Sequence, residues 1–379
     1  MFYGRTYDPP GLSTQEKVED ALDGAGIDAE SFNASLLQEP WETKNGSGNP
    51  FQIFTPYWRK SRPIIYRQPV DYDPTRLCFH SSPTPKLSLD DLNLLPAHGW
   101  HQKLEDHWTV SESAAHAQLE RTVNEVTHSY STRRNNPSVD GTSRLSPYLA
   151  WGLISPRQIC QSVLQADNQD SHRGENKFLV EIGWREFSYH LIFHVPEMAT
   201  QNLQSSFNDF PWERNEEALQ QWKEGKTGYP LVDAGMRELR RTGYMHNRVR
   251  MITASFLIKH LMIDWRAGEK YFWDRLLDAC PANNIAGWQW VAGSGADAAP
   301  FFRIFNPIIQ GEKFDPQGAY TKRFIPELAH VEQKHLFSPW KAKSDTVGVD
   351  FQEGGYPDPI VEHEYARNRA LDAFQQIRR

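Results

Sequence analysis

The sequence has few cysteines and no long apolar run. Its three cysteines, Cys78, Cys160 and Cys280, are far apart and show no spacing typical of a metal site. This pattern argues against a disulfide framework and fits a reducing compartment. No apolar stretch is long enough to span a bilayer, and the N-terminus lacks the pattern of a signal peptide. We therefore expect a cytoplasmic protein with no membrane span and no metal.

An excess of one charge is confined to the first third of the chain. The formal net charge is −7; residues 1–120 contain 10 Lys+Arg and 17 Asp+Glu, and the remainder contains 31 of each. A strongly acidic protein is a poor partner for nucleic acid. Because the rest of the chain is neutral overall, a local basic surface is still possible there.

Length and aromatic content indicate a large packed protein. The chain has 379 residues, 39% of them hydrophobic and 23% charged, which suits two domains or one large domain with a linker. It also has 13 tryptophans. Such a number is compatible with an aromatic-rich core, and it also fits stacking or electron transfer.

The pattern of the chain divides it into three parts. Residues 1–60 contain a predicted helix, glycine-rich stop and strand over 17–33, and a predicted strand end over 51–58, which together indicate an incomplete α/β unit. Residues 61–111 are rich in proline and predict an irregular linker. Residues 112–379 show helical periodicity with almost no strand alternation, so we expect an all-helical body.

Several helix ends in the body are well marked. Ser146 and Ser155 each precede a proline, which predicts two capped helix starts. A five-turn pattern runs up to Pro196, which should end it. After Gly243 a further helix is predicted, and its spacing places an apolar face on one side. That face consists of Val249, Ile252, Phe256 and Leu257.

The segment 142–146 is a candidate anion site. Thr142, Ser143 and Ser146 supply hydroxyl groups, and Arg144 supplies a guanidinium, at a predicted helix N-terminus. Free backbone amides and the helix dipole favour a phosphate at such a position. An ordinary helix cap explains the same residues equally well.

Two helices carry residues that could bind a planar, polar ligand. Glu181, Trp184 and Ser188 share one helix face, while Phe178, Leu179 and Ile182 could face the core. A core tryptophan beside a solvated glutamate is the simpler explanation.

In the second helix, Asn247 and Met251 lie one turn apart beside Arg248 and Arg250. An amide, a thioether and a guanidinium can contact a base edge, a ring and a phosphate, respectively. A basic helix surface is the alternative, and His246 is expected to be a structural hydrogen-bonding residue.

A polar aromatic cluster, ANNIAGWQW at 282–290, completes the set. It holds Trp288 and Trp290 behind two asparagines, with Asp278 upstream as a candidate partner for an arginine. Indoles and amides are costly to bury without partners, so the cluster suggests a ligand site.

Together these stretches resemble the helical flavin-binding domain of the photolyase/cryptochrome family, most closely bacterial class I cyclobutane pyrimidine dimer photolyases. The resemblance runs from about Tyr130 to the C-terminus. It rests on GTSRLSPYLAWGLISPRQ, WREF, WKEGKTGYPLVDAGMR, GYMHNRVRMITASFL, DWRAGEKYFWDRLLD, NNIAGWQWVAGSGADAAPFFRIFNP and PIVEHEYARNRAL. It implies a mainly α fold, with an all-helical FAD-binding catalytic domain after an incomplete, Rossmann-like α/β domain that is truncated at its N-terminus.

The resemblance also implies roles for individual residues. The expected FAD contacts are Tyr130, Thr142, Ser143, Arg144, Leu145, Ser146, Phe178, Arg185, Arg250, Asp278, Cys280 and Asn284, with Arg250 and Asp278 as an ion pair beside the isoalloxazine and Asn284 facing its N5. The expected contacts with damaged DNA are Arg134, Glu181, Trp184, Asn247, Arg248, Met251, Trp290 and Arg303, with Lys313 as a further candidate. The expected catalytic residues are Glu181, Asn284 and the electron-transfer chain Trp288, Trp265 and Trp212.

The implied activity is light-driven repair of UV-damaged DNA by a monomeric deoxyribodipyrimidine photo-lyase. Asn247 favours cyclobutane dimers, since photolyases for six-four photoproducts place a histidine there. A blue-light photoreceptor is the alternative, because it would use the same flavin and tryptophans. Cys280 replaces a second acid found in relatives, which alters the expected flavin contacts. No antenna chromophore is assigned.

Overall fold

The computed structural model describes residues 1–70, 75, 88, 90–95, 99–166, 172–297, 302–342 and 355–378. Cys78 and the middle of the predicted linker 61–111 lie outside the described residues. None of the helices in the described part combines the length and apolarity that crossing a bilayer requires.

The N-terminal segment is a small α/β unit, as its sequence predicts. Strand β1 (Phe2–Gly4) pairs in parallel with β2 (Glu30–Phe32), and helix α1 (Pro9–Gly24) connects them. The Asp8 side chain accepts from the backbone N–H of Gly11 and caps α1. A helix between two parallel strands is the usual crossover connection.

The predicted strand end at 51–58 is wrong, because these residues form helix α2 (Phe54–Ser61). Its aromatic residues favour a strand by propensity. In the folded protein they instead supply a helix face, with Phe54 and Tyr57 buried in the main core. Tertiary packing therefore overrides the local preference.

The body is helical, as expected, and in the described part its regular elements are helices. They are α3 (Gln102–Glu105), α4 (Glu112–Arg121), α5 (Tyr130–Arg133), α6 (Ser146–Ala150), α7 (Pro156–Gln165), α8 (His172–His194), α9 (Glu216–Glu224), α10 (Pro230–Thr242), α11 (Asn247–Ser255), α12 (Trp265–Arg275), α13 (Pro281–Ala292), α14 (Pro307–Phe314), α15 (Ala319–Phe324) and α16 (His363–Ile377). Short 3-10 and π-helical turns join several of them.

Most predicted helix boundaries are confirmed. Ser155 and Gln158 form a reciprocal capping box at the start of α7. Helix α8 ends at His194, two residues before Pro196. Helix α11 continues into a π-helical turn (Phe256–His260), and all four residues of the predicted apolar face are buried.

The two halves of α8 contribute to two different hydrophobic clusters. Phe178, Leu179 and Ile182 from its first half pack with α4 and α7 residues, which confirms their predicted core position. The second half packs with α10 to α13 in a larger core, where Trp222 and Trp265 are fully buried. Helix α8 therefore spans both clusters and can place residues from several turns along one site.

Candidate functional site

An ion pair between Arg250 and Asp278 lies at the centre of the candidate site. Nη2 of Arg250 donates to the two Asp278 oxygens at 3.0 and 2.8 Å, and its Nε donates to the Met245 carbonyl at 2.7 Å. The Ser146 hydroxyl donates to the same carboxylate at 2.6 Å. The Asp278 side chain is only 4% exposed. Because a buried carboxylate needs such partners, the pair fixes α6, α11 and the residues before α13 relative to one another.

The predicted capping role of Ser146 is wrong. Leu145 is the N-cap of α6, it makes no side-chain cap, and the Ser146 hydroxyl is directed at Asp278 instead. Helix α6 has only five residues. The case for an anion site at 142–146 therefore rests on its hydroxyl groups and arginine, not on a helix end.

The backbone of segment 142–146 is held by helix α4. The Thr142 carbonyl accepts from Arg121 at 3.0 Å, and the Ser143 carbonyl accepts from Gln118 at 2.5 Å. Leu145 is 1% exposed, so it can meet a ligand only through its backbone. The segment is thus preorganised before any ligand arrives.

Arg144 has a left-handed backbone conformation, with φ of 51°. Its guanidinium lies 5.0 Å from the ring centre of Trp108 and 5.4 Å from that of Tyr244. Cation–π contacts of this kind hold the charge at the site while the side chain remains partly exposed.

Tyr130 and Phe178 form an aromatic wall. Their ring centres are 5.3 Å apart at 90°, and both rings are buried. Arg134 lies over the Tyr130 ring at 5.3 Å. Burial, and then the charge of Glu181, raises the pKa of the Tyr130 hydroxyl, so this residue stays neutral.

Glu181 follows Phe178 by one turn of α8 and is paired with cations. It accepts from Arg134 Nη1, and Lys177 Nζ lies 3.5 Å from its Oε1. About a quarter of the Glu181 side chain is exposed (27%). A ligand could therefore reach this carboxylate, but it would compete with Arg134 for it.

Trp184 is supported by helix α2. Its ring stacks on Phe54, with centres 3.7 Å apart and planes at 10°. A Cβ at Gly183 would lie 2.4 Å from the Trp58 ring, so glycine is needed for α2 to approach. Ser188 does not join this site, because its buried hydroxyl donates to the Trp184 carbonyl. Phe54 covers one face of Trp184, and the side chain is half-buried, so part of it remains accessible.

Asn247 and Met251 lie on the first turns of α11, with Asn247 exposed and Met251 half-buried. His246 caps this helix, since its Nδ1 accepts from the Arg248 N–H at 3.2 Å. Burial, and then the charges of nearby arginines, lowers the pKa of His246 to about 4. The neutral ring has the structural role expected for it.

Three arginines concentrate positive charge beside α11. Arg248 donates to Asn135 at 2.8 Å and lies 4.6 Å from the Phe314 ring centre. Burial, and then the charges of Arg134 and Arg303, lowers the pKa of Arg248. The charges of Arg134 and Arg303 therefore act on Arg248, and we call these three arginines the basic surface.

The remaining expected DNA contacts lie on α13 and after it. Trp290 is half-buried. The Arg303 guanidinium lies 6.0 Å from the Phe305 ring centre, and Lys313 Nζ lies 5.3 Å from that of Phe314.

Asn284 is bonded to a glutamate that the sequence analysis missed. Its Nδ2 donates to the Glu269 carbonyl at 3.0 Å and to Glu269 Oε1 at 2.9 Å. Burial raises the pKa of Glu269. Because the bond fixes the amide, the Asn284 oxygen is left to accept from a ligand.

Cys280 and Arg185 are joined through Tyr189. The Cys280 thiol donates to the Tyr189 hydroxyl at 3.3 Å and accepts from Asn283 at 3.0 Å. The Arg185 guanidinium lies 5.0 Å from the Tyr189 ring centre and donates to the Ser35 carbonyl at 2.7 Å. Arg185 is therefore directed at the N-terminal segment, and its expected contact with a cofactor remains a prediction.

The three tryptophans of the expected chain lie on adjoining elements. Trp288 on α13 packs against α12, since a Cβ at Gly268 would lie 2.1 Å from its Cη2. Gly268 follows Trp265 by three residues on α12, so Trp288 packs against the helix turn that begins at Trp265. Trp265 is fully buried, and Trp212 is half-buried against Phe210, with ring centres 4.4 Å apart. Trp288 and Trp265 are therefore interior, and Trp212 is the most exposed of the three.

The donor set fits FAD. Its diphosphate needs cations and hydroxyl groups, which Arg144, Thr142 and Ser143 provide. Its isoalloxazine carries donor and acceptor groups that suit a fixed arginine–carboxylate pair, present here as Arg250 and Asp278. Tyr130, Phe178 and Trp288 provide apolar walls of the kind that cofactor sites use.

The chain matches two family models. Residues 178–376 match the FAD binding domain of DNA photolyase, and residues 1–75 match DNA photolyase. A deoxyribodipyrimidine photo-lyase of Agrobacterium fabrum is 44% identical over 384 residues, covering 100% of this chain and 80% of the relative.

Solved structures of photolyases and cryptochromes are similar to this chain in fold. A bacterial class III photolyase from Agrobacterium tumefaciens has a TM-score of 0.92 at 44% identity, covering 100% of this chain and 79% of that one. A cryptochrome from Synechocystis has a TM-score of 0.89 at 28% identity, with 98% and 78% coverage. The expected class I subtype finds no confirmation here. By these matches the chain belongs to the photolyase/cryptochrome family and carries its FAD-binding domain.

Proposed function

We propose that this protein is a deoxyribodipyrimidine photo-lyase that uses FAD and light to split cyclobutane pyrimidine dimers in DNA. One observation carries the proposal. On consecutive turns of α8, Phe178 lies in the aromatic wall with Tyr130, Glu181 is paired with Arg134, and Trp184 stacks on Phe54 while remaining partly exposed. A single helix thus joins the expected flavin contacts to the expected lesion contacts.

The chain's own residues would hold the cofactor by charge and shape. Thr142, Ser143 and Arg144 would hold the diphosphate, and Arg250 with Asp278 would orient the isoalloxazine. Asn284, fixed by Glu269, would present its amide oxygen to the ring. When bound there, reduced FAD would supply the photoexcited electron for the dimer.

The basic surface would hold the DNA backbone. Arg134, Arg248 and Arg303 carry charge that can neutralise phosphates, which makes binding depend steeply on salt. The excess of acidic residues is confined to the first 120 positions, and residues 121–379, which carry all three arginines, are neutral overall.

The lesion must leave the duplex to reach α8. Flipping costs a few kcal/mol, and less for a base pair that is already damaged. Stacking on an aromatic side chain returns roughly 1–3 kcal/mol per base, so Trp184 and Trp290 together could offset most of that cost. Glu181, once released by Arg134, would accept or share a hydrogen bond with the dimer.

Asn247 and Met251 would complete the lesion contacts at the start of α11. Electrons would pass inward through Trp212, Trp265 and Trp288 to restore the reduced flavin.

Within the family, the 44% identity to a class III photolyase favours that subtype over class I. We also propose a monomer in the cytoplasm, divided at residues 60 and 111 into an α/β segment, a linker and a catalytic body.

A blue-light photoreceptor is the second candidate. The similarity to a cryptochrome over nearly the whole chain favours it, because the fold and the tryptophans serve either role. The complete set of expected lesion contacts favours repair.

Light-dependent repair tests the proposal. Purified, reduced protein is incubated with an oligonucleotide that contains one thymine dimer, under blue light or in darkness, and the products are separated by chromatography. We expect restored thymines in light only. Equal products in light and dark would refute repair, and light-dependent partner binding without repair would favour the photoreceptor. Ser205→Ala, at an exposed position that is not among the expected lesion contacts, is a control that should repair normally.

A further inference from the structure

Residues 198–204 form a short segment that helix α13 holds through one side chain. Gln289 is fully buried, and its Nε2 donates to the carbonyls of Met198 at 2.7 Å and Gln201 at 2.9 Å. Its Oε1 accepts from the Leu203 N–H at 3.1 Å and from the Ser294 hydroxyl at 3.2 Å. An amide has two donors and two acceptor sites, so all four are used. Gln289 lies between Trp288 and Trp290 in sequence and therefore restrains the helix end that carries both.

Helix α12 holds the same segment at two further points. Nε1 of Trp265 donates to Asn202 Oδ1 at 2.9 Å, and Nε of Arg266 donates to the Thr200 carbonyl at 2.8 Å. The Asn202 Nδ2 donates to Asn208 Oδ1 at 2.9 Å, which orients the amide so that its oxygen faces the indole. Asn202 is 8% exposed, so no bulk water replaces it.

We infer that segment 198–204 is the strut that sets the position of Trp265 relative to Trp288, with Gln289 and Asn202 as positioning residues, and that the Asn202 amide keeps the indole proton on Trp265 during electron transfer. This inference rests on the proposed function, because it assumes that electrons pass through these tryptophans.

The transfer from Trp265 to Trp288 moves one electron and no atoms. When Trp265 gives an electron to oxidised Trp288, Trp288 is restored and Trp265 becomes a radical cation. Its Nε1 proton then becomes more acidic. An amide oxygen accepts a hydrogen bond but is a very weak base, so the proton stays on Nε1. Trp212 next supplies one electron to Trp265. The initial oxidant is a photoexcited flavin, and the final reductant is a thiol in solvent.

The charges beside Trp265 are paired. The Arg266 guanidinium lies 4.7 Å from the Trp265 ring centre, and Asp264 pairs with it at 2.9 Å. Because this ion pair is close to neutral overall, it adds no net positive charge beside the ring. Retention of the indole proton, which lets the electron return, leaves Trp265 a short-lived relay and not an end point.

Flash absorption of the Asn202→Asp variant tests the proton-holding role. A Trp212→Phe background stops the oxidation at Trp265, so its fate can be read. With asparagine at 202 we expect only the radical-cation spectrum, which decays by electron return. With a carboxylate we expect the cation band to be replaced by that of the neutral radical, at a longer lifetime. Identical spectra and lifetimes in both proteins would overturn the inference.

The positioning role is tested without bound flavin. Nitrogen-15 NMR of the tryptophan indoles follows Trp265 Nε1, with Trp222 as internal reference because it donates to the Thr253 carbonyl. Asn202→Leu and Gln289→Leu should each shift the Trp265 signal and speed its hydrogen exchange, while Ser205→Ala should leave it unchanged. No shift in either leucine variant would overturn the strut. Light-dependent repair by the parent protein decides the proposed function separately.

Discussion

Removing the Asp278 carboxylate should loosen the cofactor site before any cofactor binds. The side chain accepts two bonds from Arg250 and one from Ser146, and it is 4% exposed. Breaking a buried ion pair costs about 3–5 kcal/mol. Arg250 is 22% exposed and keeps its bond to Met245, so it can recover some solvation. We therefore expect Asp278→Ala to lower the free energy of unfolding by about 3 kcal/mol, at the lower end of that range.

The assay is urea unfolding of the flavin-free protein, followed by titration with FAD. Asp278→Asn keeps the volume and should retain part of the stability, since it can still accept from Ser146. The matched control is Asp274→Ala, which breaks an exposed pair with Arg275. Asp274→Ala should lower the free energy of unfolding by less than about 1 kcal/mol. If Asp278→Ala costs no more than the control and binds FAD as the parent does, the pair does not hold the site together.

Three further predictions concern other residues. Glu186 is a buried residue of α8 that accepts from the backbone N–H groups of Leu37 at 2.9 Å and Gln38 at 3.4 Å. Burial raises the pKa of Glu186 from 4.5 to about 7, so its stabilising contribution is full below pH 4.5 and is lost as the pH rises through 7. Glu186→Gln should abolish this loss of about 3 kcal/mol, measured by urea unfolding at pH 5 and pH 8; an unchanged pH slope would contradict the shift. Trp290→Ala removes stacking on one base, so it should weaken binding of dimer-containing DNA by about tenfold and leave flavin content unchanged; loss of flavin would show that the indole faces the cofactor. Trp212→Phe should slow photoreduction and spare repair by protein that is already reduced, and equal loss of both would contradict the proposed chain.

Periodicity predicted the helices that carry the site. Helices α8 and α11 each have a sustained apolar face, and Phe178, Ile182, Val249 and Ile252 are buried as that pattern requires. The resemblance placed Arg250 and Asp278 together, and the structure shows them in contact. Local patterns of this kind are reliable because each depends on neighbouring residues of one element.

Long-range partners explain what the sequence could not predict. Ser146 precedes a proline like a capping residue, but it bonds to Asp278, a residue 132 positions away. Phe54 lies in a segment with strand propensity, but stacking on Trp184 stabilises it in a helix. Glu269 gives no signal in its own helix, and only the approach of α13 to α12 brings it to Asn284.

The excited-state lifetime of reduced, bound FAD tests most directly whether one site holds both cofactor and lesion. The lifetime is measured with an undamaged oligonucleotide and with the same oligonucleotide containing one thymine dimer. A dimer held beside the flavin accepts the excited electron. We therefore predict that the lifetime is shorter with the damaged oligonucleotide than with the undamaged one. Equal lifetimes, at concentrations where damaged DNA is shown to be bound, would contradict the account.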